Sequence, residues 1–516
     1  MVGPRPCGRR PWLSRGTLPP PLLLPSAPFP KPEPHPTGER PRPYQSNWQA
    51  TGRASLCECP PRHLPDPTDM RPFSPIFLTL SLFAGCGQPA RPNVVVIVID
   101  TLRADRVGPK APAGLTPYLG KFAEGAVSFD QCHAHAPWTL PSCAAILSGV
   151  HPAEHGAGGN LEAGLHGLGQ DVGTLVQPFA RAGYDTHAIV NVAFLDKTFG
   201  VTRDFGGLDA VHFKTNIEVR RAGPTTQAAL SWLDRERDEP FLLFVHYFDP
   251  HAVYDPPQPF RRRFAEPRDQ KNQSFVFGTR KHMMALRAGQ LDLNPEVIGR
   301  AEALYNGEVA YTDAEVGRLL DGLSERGLDQ NSIVVITGDH GEEFLDHGGF
   351  EHGHTLYDEL THVPLMIRVP GEGAQRISDT VRHVDLAPTL CELADLAPLS
   401  SFVGRSLVGL MGGTDSQPRP VLAQGNMWGP DLTSYRTGGW KLIRAGDGRE
   451  ELYDLASDPH EQRDLAGNDG GNRARLAEQL DLALRGMAAL GGSNQVEVTP
   501  QLQSWLEALG YAGESQ

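Results

Sequence analysis

The sequence predicts an α/β fold: a buried sheet with helices on both faces, followed by a small C-terminal antiparallel sheet. Three observations predict it. Four runs, Asn93–Ile99 (NVVVIVI), 240–248 (PFLLFVHYF), 332–337 (SIVVIT) and 363–369, are apolar without alternation, the pattern of strands buried on both faces. Helical patterns separate these runs, which is the alternation of a layered α/β domain. After about Ala397 the texture changes to turn-rich sequence with short strands.

Taken in order, Asn93–Ile99 is the first strand and ends in Asp100. Thr116-Pro117 reads as an N-cap followed by Pro at the first helical position, opening a helix to about Glu124. A strand at 126–129, helices at 140–147 and 171–182, and a strand at 184–190 follow. Next come a helix at 224–235, the strand at 240–248, a long amphipathic helix at 301–326, and the strand at 332–337 ending in Gly338-Asp339-His340. Residues 421–426, 433–436, 441–444 and 451–455 read as an antiparallel sheet closed by a helix at 472–487. Residues 496–516 read as an isolated amphipathic segment. The expected divisions are therefore a catalytic domain at 91–397, a C-terminal subdomain at 398–490 and a tail at 491–516. Arg261, Arg262 and Arg263, with 269–281, read as a surface insertion.

The chain of 516 residues carries a formal net charge of −14, which argues against a general nucleic-acid binder. Its first 69 residues hold 18 of the 46 prolines and no periodic apolar pattern, so they read as a disordered or mis-started extension. Met70 opens MRPFSPIFLTLSLFAGCGQPA: one basic residue, an apolar stretch too short to span a membrane, then small residues before Cys86. Residues 70–86 therefore resemble a lipoprotein signal peptide. That implies a mature N-terminus at lipidated Cys86, membrane attachment, and a cell-envelope, periplasmic or extracytoplasmic location. The cysteines form neither a disulfide framework nor a zinc-type spacing.

Ligands in α/β sheets bind beyond the carboxyl ends of strands. Two strands here end in acidic residues, Asp100 and Asp339, and His340 follows the second. Carboxylates with neutral histidine suit zinc, manganese or iron better than an all-oxygen calcium cage. Five histidines, His246, His251, His347, His352 and His354, fall in two short post-strand segments, which fits an anionic, oxygen-rich substrate. Thr139, in HAPWTLPSCAAILSG, fits two roles from local sequence. It is either a nucleophile activated by a base or metal at a helix N-terminus, or simply that helix's N-cap.

These pieces in series resemble the sulfatase family of the alkaline-phosphatase superfamily, from about Arg91 to Gly467. The segments are PNVVVIVIDTLRADRVG, PWTLPSCAAILSGVHPAEHG, RAGYDTHAIV, DPH, YNGEVAYTDAEVGRLLDGL, GDHGEEFLDHGGFEHG and WKLI…ELYDLASDPHEQRDLA. The resemblance implies an alkaline-phosphatase-like α/β/α sandwich. It puts Asp100, Asp339 and His340 on metal-ligand positions and Thr139 on the nucleophile position, also touching the metal. His251 falls on a substrate-anion or second-metal position, and His352 matches a histidine of phosphoryl-transferring relatives. The implied cofactor is a divalent cation: calcium, zinc, manganese or magnesium.

The sequence also departs from that family. Thr101 stands where a second Asp is usual and is at most a weak metal ligand. Thr139 cannot yield formylglycine, because its oxidation would give a ketone, so no formylglycine is expected. Cys143 replaces the helping arginine, and Asn191 and Ala193 occupy the approximate places of the usual lysine and histidine. The expected chemistry is in-line attack by Thr139 on a sulfate ester. Asn191, His251 and His352 face the non-bridging oxygens, and His251 or His354 serves the leaving group. Two alternatives stand beside it: hydrolysis of phosphate mono- or diesters or phosphonate esters, and a catalytically dead binding protein on the same fold. A phosphoethanolamine- or glycerolphosphate-transferring enzyme would carry several membrane helices, and the chain has one short apolar stretch. Specificity is expected in 194–216 and 256–293.

Overall fold

The computed structural model describes residues 91–160, 164–210, 219–265, 295–487, 490 and 494–508. The expected extension at 1–69, the signal peptide and Cys86, the insertion segment 269–281 and parts of both specificity loops lie outside the described residues.

Eight strands build the main sheet: β1 (Asn93–Ile99), β2 (Val127–His133), β3 (Asp185–Val190), β4 (Gly207–Ala210), β5 (Phe241–Tyr247), β6 (Ser332–Gly338), β7 (His362–Arg368) and β8 (Gln375–Arg382). Their spatial order is β8-β2-β7-β6-β1-β5-β3-β4. Neighbours run parallel except around β7, which is antiparallel to both β2 and β6.

The alternation of side chains along β1 divides the core into two layers. Val94, Val96 and Val98 pack with helices α2 (Thr139–Ser148) and α5 (Leu386–Leu393) on one face. Val95, Ile97 and Ile99 pack with α1 (Pro117–Ala123), α3 (Ala222–Leu233) and the 31-residue α4 (Pro295–Glu325) on the other. Each of these β1 side chains is buried, a gain of roughly 1.5–3 kcal/mol apiece. This is the expected α/β/α sandwich, and β1 is at its centre.

The C-terminal sheet is a meander of β9 (Val421–Gln424), β10 (Leu432–Thr437), β11 (Trp440–Ala445) and β12 (Glu450–Asp454). Helix α6 (Gly470–Arg485) closes it with Leu476 and Leu480 against Leu422, Leu442 and Leu452.

Three expectations need correction. Only Val176–Arg181 of the expected 171–182 helix is helical. The chain before it passes so close to Leu399 that a Cβ at Gly173 would stand 2.5 Å from that side chain. Helix α2 starts at Thr139, and its N-cap is Trp138, so Thr139 is not the cap. The C-terminal segment is not isolated. Asn494–Gln495 pairs with Gly164–Gly167, and Leu502 and Leu506 of the helix Pro500–Ala508 are buried in the same core layer as Val98. Among the described residues no helix is long and apolar enough to cross a membrane.

Candidate active site

Strands β6, β1 and β5 are adjacent, and their register sets Ile99 level with Gly338 and Tyr247. Asp100 and Asp339 therefore leave the sheet side by side at its carboxyl edge. The Asp100 N–H donates to the Tyr247 carbonyl at 3.0 Å. Both carboxylates and His340 are fully buried. Gly341 lets the chain turn away here: a Cβ on it would stand 1.9 Å from the Glu359 carbonyl oxygen.

Thr101 has a φ of 53°, a left-handed conformation that costs a β-branched residue on the order of 1–3 kcal/mol. Two hydrogen bonds hold it. Its N–H donates to Asp339 Oδ1 at 3.1 Å, and its carbonyl accepts from the Tyr305 hydroxyl at 2.7 Å.

Helix α2 is buried along its whole length, and Thr139 is its first residue. Its hydroxyl makes no capping bond and stands 3.4 Å from His340 Nε2. Ser142, one turn on, donates to the Asp339 carbonyl at 2.5 Å and touches His383 Nδ1 at 3.3 Å. These contacts pin the helix start to the end of β6.

Three histidines have Nδ1 tied to an acceptor: His340 to the Gly341 carbonyl at 2.9 Å, His251 to the Ala252 carbonyl at 2.7 Å, and His352 to Glu342 Oε1 at 2.7 Å. Each bond fixes the tautomer and the ring's orientation. Tyr254 donates to the other oxygen of Glu342 at 2.8 Å. The His352 ring lies 4.6 Å from His340 and 4.8 Å from His251, centroid to centroid.

Burial pushes the Asp100 carboxyl up, but His251, His340 and His246 outweigh it and hold Asp100 below the usual carboxylate range. Burial and the Asp100 charge push Asp339 up to about 7. Burial, with the charges of His251 and His340, outweighs Asp100 and lowers His246 to about 4. His340 is raised, because Asp339 and Asp100 outweigh its burial. The site thus holds two adjacent buried carboxylates, and among the described residues no arginine or lysine is a hydrogen-bond or ion-pair partner of either.

Such a pair requires positive charge. Both Asp100 oxygens, the Thr101 hydroxyl and both ring nitrogens of His246 are buried without a hydrogen-bond partner. Ligand atoms of Asp100, Asp339 and His340 lie within 4.8 Å of one another. Orphaned acceptors around two carboxylates fit a divalent cation, and these three residues would hold it.

The sequence profile of the Sulfatase family matches residues 92–396. The chain belongs to the sulfatase family. It is a hydrolase of that family. A second profile, N-sulphoglucosamine sulphohydrolase, C-terminal, matches residues 346–488. An arylsulfatase of Clostridium perfringens is 25% identical over 456 residues, 73% of this chain and 91% of that protein. A delta 4,5-hexuronate-2-O-sulfatase of Bacteroides thetaiotaomicron is 25% identical, covering 74% and 86%. The fold is also that of a phosphonate monoester hydrolase of Agrobacterium radiobacter, with a TM-score of 0.64, 22% identity, and 77% and 96% of the two chains covered.

Within this sulfatase-family site the structure brings together Asp100, Thr101, Thr139, Asp339 and His340, with His251 and His352 beside them. Among the described residues, the groups of three close ligand atoms are Asp100–Asp339–His340 and Cys143–His246–Asp339; His251 and His352 join neither. Asn191 is committed elsewhere. Its amide donates to Thr225 and the His246 carbonyl and accepts from Arg220, so it buttresses β5 rather than presenting a donor to substrate. His354 bonds Glu343 at 2.8 Å and is partly exposed. His347 pairs with Glu359 at 2.7 Å. Sequence reasoning grouped His246 with the post-strand histidines and read Cys143 only as standing in for an arginine, and it placed neither beside the carboxylates. His246 lies inside β5 rather than after it, opposite Val98, with Nε2 3.5 Å from Asp100 Oδ2. Its signal was a lone histidine in an otherwise apolar run.

Proposed function

We propose that this chain hydrolyses sulfate esters by way of the Thr139 hydroxyl. The observation that carries the reading is the hydroxyl's place 3.4 Å from His340 Nε2, at the start of a buried helix and beside the Asp100–Asp339 pair. A divalent cation held by Asp100, Asp339 and His340 supplies Lewis acidity, lowering the pKa of a nearby hydroxyl and screening the substrate's oxygens.

The protein's own groups do the rest. Tethering of Ser142 and His340 orients Thr139 for in-line attack, and the N-terminal peptide groups of α2 favour the anion. Thr139 loses its proton to solvent and forms a bond to sulfur as the bond from sulfur to the ester oxygen breaks. His251, whose Nδ1–H is held by the Ala252 carbonyl, takes a proton from solvent at Nε2 and hands it to that oxygen. Water then attacks the sulfur of the Thr139 sulfate, releasing hydrogen sulfate and restoring the hydroxyl. The same residues would act on a phosphonate monoester or phosphate diester. Thr139 itself favours this second reading, because a threonine ester must be cleared by attack on its central atom, and phosphorus accepts that attack more readily than sulfur. Both classes present one negative charge, which suits a site with a cation and, among the described residues, no arginine or lysine bonded to its acids. Lipid anchoring at Cys86 and an extracytoplasmic location complete the proposal, and mass spectrometry of the native N-terminus checks them.

The test is a side-by-side assay of aryl sulfate, aryl phosphonate monoester, bis-aryl phosphate and aryl phosphate. It uses the full chain loaded in turn with zinc, manganese, magnesium and calcium, with and without Thr139→Ala. Thr139-dependent turnover, fastest on aryl sulfate, is expected. Turnover unchanged in Thr139→Ala would overturn the nucleophile, and faster turnover of a phosphorus ester would move the chain to the second class.

A further inference from the structure

The metal-capable side chains of this centre fall into two groups that share one residue. Asp100, Asp339 and His340 form the first, at the ends of β1 and β6. Cys143, His246 and Asp339 form the second, from α2, β5 and the end of β6. Within each group the ligand atoms lie within 4.8 Å of one another. Both carboxylates face both ways. Asp100 turns Oδ1 to His340 Nε2 at 3.4 Å and Oδ2 to His246 Nε2 at 3.5 Å. Asp339 Oδ2 stands 3.6 Å from His340 Nε2 and 3.9 Å from Cys143 Sγ. An independent observation points to a ligand in the second group. His246 is fully buried, and neither of its ring nitrogens has a hydrogen-bond partner. A buried imidazole with both nitrogens unpaired costs free energy that a metal bond would recover.

We propose that Cys143, His246 and Asp339 hold a second cation, distinct from the one held by Asp100, Asp339 and His340, with Asp339 shared between the two. The inference rests on the reading of the first group as a cation site. The donor chemistry of the second group names its occupant. A thiolate, an imidazole and a carboxylate are ligands of zinc, cobalt or iron, whereas calcium and magnesium take oxygens. The charges support two ions. One divalent cation balances the two carboxylates. Burial and the Asp339 and Asp100 charges keep the Cys143 thiol protonated by itself, so the second cation displaces one proton from sulfur to solvent. The pair then carries a net positive charge, which attracts an anionic ester. The second cation also has a mechanical role that the first lacks. Thr139 and Cys143 are four residues apart in α2 and lie on one face of it, a turn apart. A metal bond at Cys143 therefore staples the helix that bears Thr139 to β5 and to the end of β6.

The test counts metal ions and uses cobalt as a spectroscopic stand-in. The full chain is stripped with a chelator, loaded with Co²⁺ or Zn²⁺, and desalted before metal and protein are measured. Cys143→Ser, Cys143→Ala, His246→Gln and Asp100→Asn run alongside, with folding checked by circular dichroism. The expected result is two retained equivalents in the wild type, with a near-ultraviolet thiolate-to-cobalt band. Cys143→Ser and His246→Gln should each retain one equivalent, and the band should disappear in both Cys143 variants. Asp100→Asn should lose the other equivalent and keep the band. One or two equivalents with no Cys143-dependent band would overturn this inference and leave the first site standing, with Cys143 an ordinary core thiol. A single equivalent that carries the band would overturn the two-cation arrangement, and no retained metal would overturn the first site as well. The wild-type count and spectrum do not depend on any variant folding, and comparison with Cys143→Ser separates this thiol from the other cysteines.

Discussion

His340 turns Nε2 toward the Thr139 hydroxyl at 3.4 Å while Nδ1 of the same ring donates to the Gly341 carbonyl at 2.9 Å. One ring thus links the strand-end turn to the first residue of α2. Because the hydroxyl rather than the methyl group makes this contact, Thr139→Ser should retain turnover within about a hundredfold. Thr139→Ala should lose about a thousandfold or more in kcat. Steady-state rates on the best substrate of the panel check both.

Asp100 and Asp339 repel each other when no cation lies between them. Zinc or manganese added to chelator-treated protein should therefore raise the thermal midpoint by mass action. Asp100→Asn should raise the midpoint of the stripped protein and abolish most of the metal-induced rise. Differential scanning calorimetry with and without metal reads both effects.

The indole of Trp138, the N-cap of the helix that bears Thr139, donates to the Gly425 carbonyl at 2.6 Å. Trp138→Phe keeps a ring against Phe194 but leaves that carbonyl unpaired, at a cost of about 1–3 kcal/mol. A lower thermal midpoint together with a reduced kcat is expected, the latter because Thr139 is adjacent. An unchanged kcat would show that this bond does not position the nucleophile.

His347 is raised to about 9; burial opposes the shift, but the Glu359 carboxylate 2.7 Å away and the Glu461 carbonyl outweigh it. A histidine whose folded pKa lies above its unfolded value stabilises fully below the unfolded pKa of about 6.5, and that stability is lost as pH rises through about 9. The thermal midpoint should fall between pH 6.5 and 9.5, and the fall should be shallower in His347→Gln. Melting curves across that window decide it.

Lys441 is almost fully buried and bridges Asp358 at 3.0 Å and Glu461 at 2.7 Å, tying the C-terminal sheet to the segment before β7. Removing one partner of a buried ion pair strands the other. Lys441→Met should lower stability by about 3–5 kcal/mol, measured by urea unfolding at neutral pH.

The continuous apolar runs made β1, β5 and β6 legible, because a strand buried on both faces has no other way to be written. The strand-end acids Asp100 and Asp339 were legible for the same reason: each breaks such a run at the edge where ligands bind. The place of His246 was not: it falls within the 240–248 run, but its position opposite Val98 and beside Asp100 comes from register across the sheet. Cys143 was read as a lost arginine, and its place beside Asp339 follows from helix phase and the docking of α2, neither of which local pattern reveals. The family resemblance points Asn191 toward the substrate, whereas its bonds to Arg220 and Thr225 on one stretch and to the His246 carbonyl on another tie it to the scaffold.

The segment from Leu422 to Trp428 has a wider consequence. It accepts from His135 and Trp138 through the carbonyls of Leu422 and Gly425 and donates from Gln424 to the His135 carbonyl. It also donates from Met427 and Trp428 to the Gly353 carbonyl and from Asn426 to that of His354. Two stretches more than two hundred positions apart in the chain, one leading into Thr139 and one carrying His352, are gauged against a single short ribbon of the C-terminal subdomain. Modular exchange is thereby constrained: a graft of a relative's C-terminal half would have to bring a ribbon matched to Trp138 and Gly353, and one cut between Gln424 and Pro430 would leave the two halves of the catalytic centre without a common ruler.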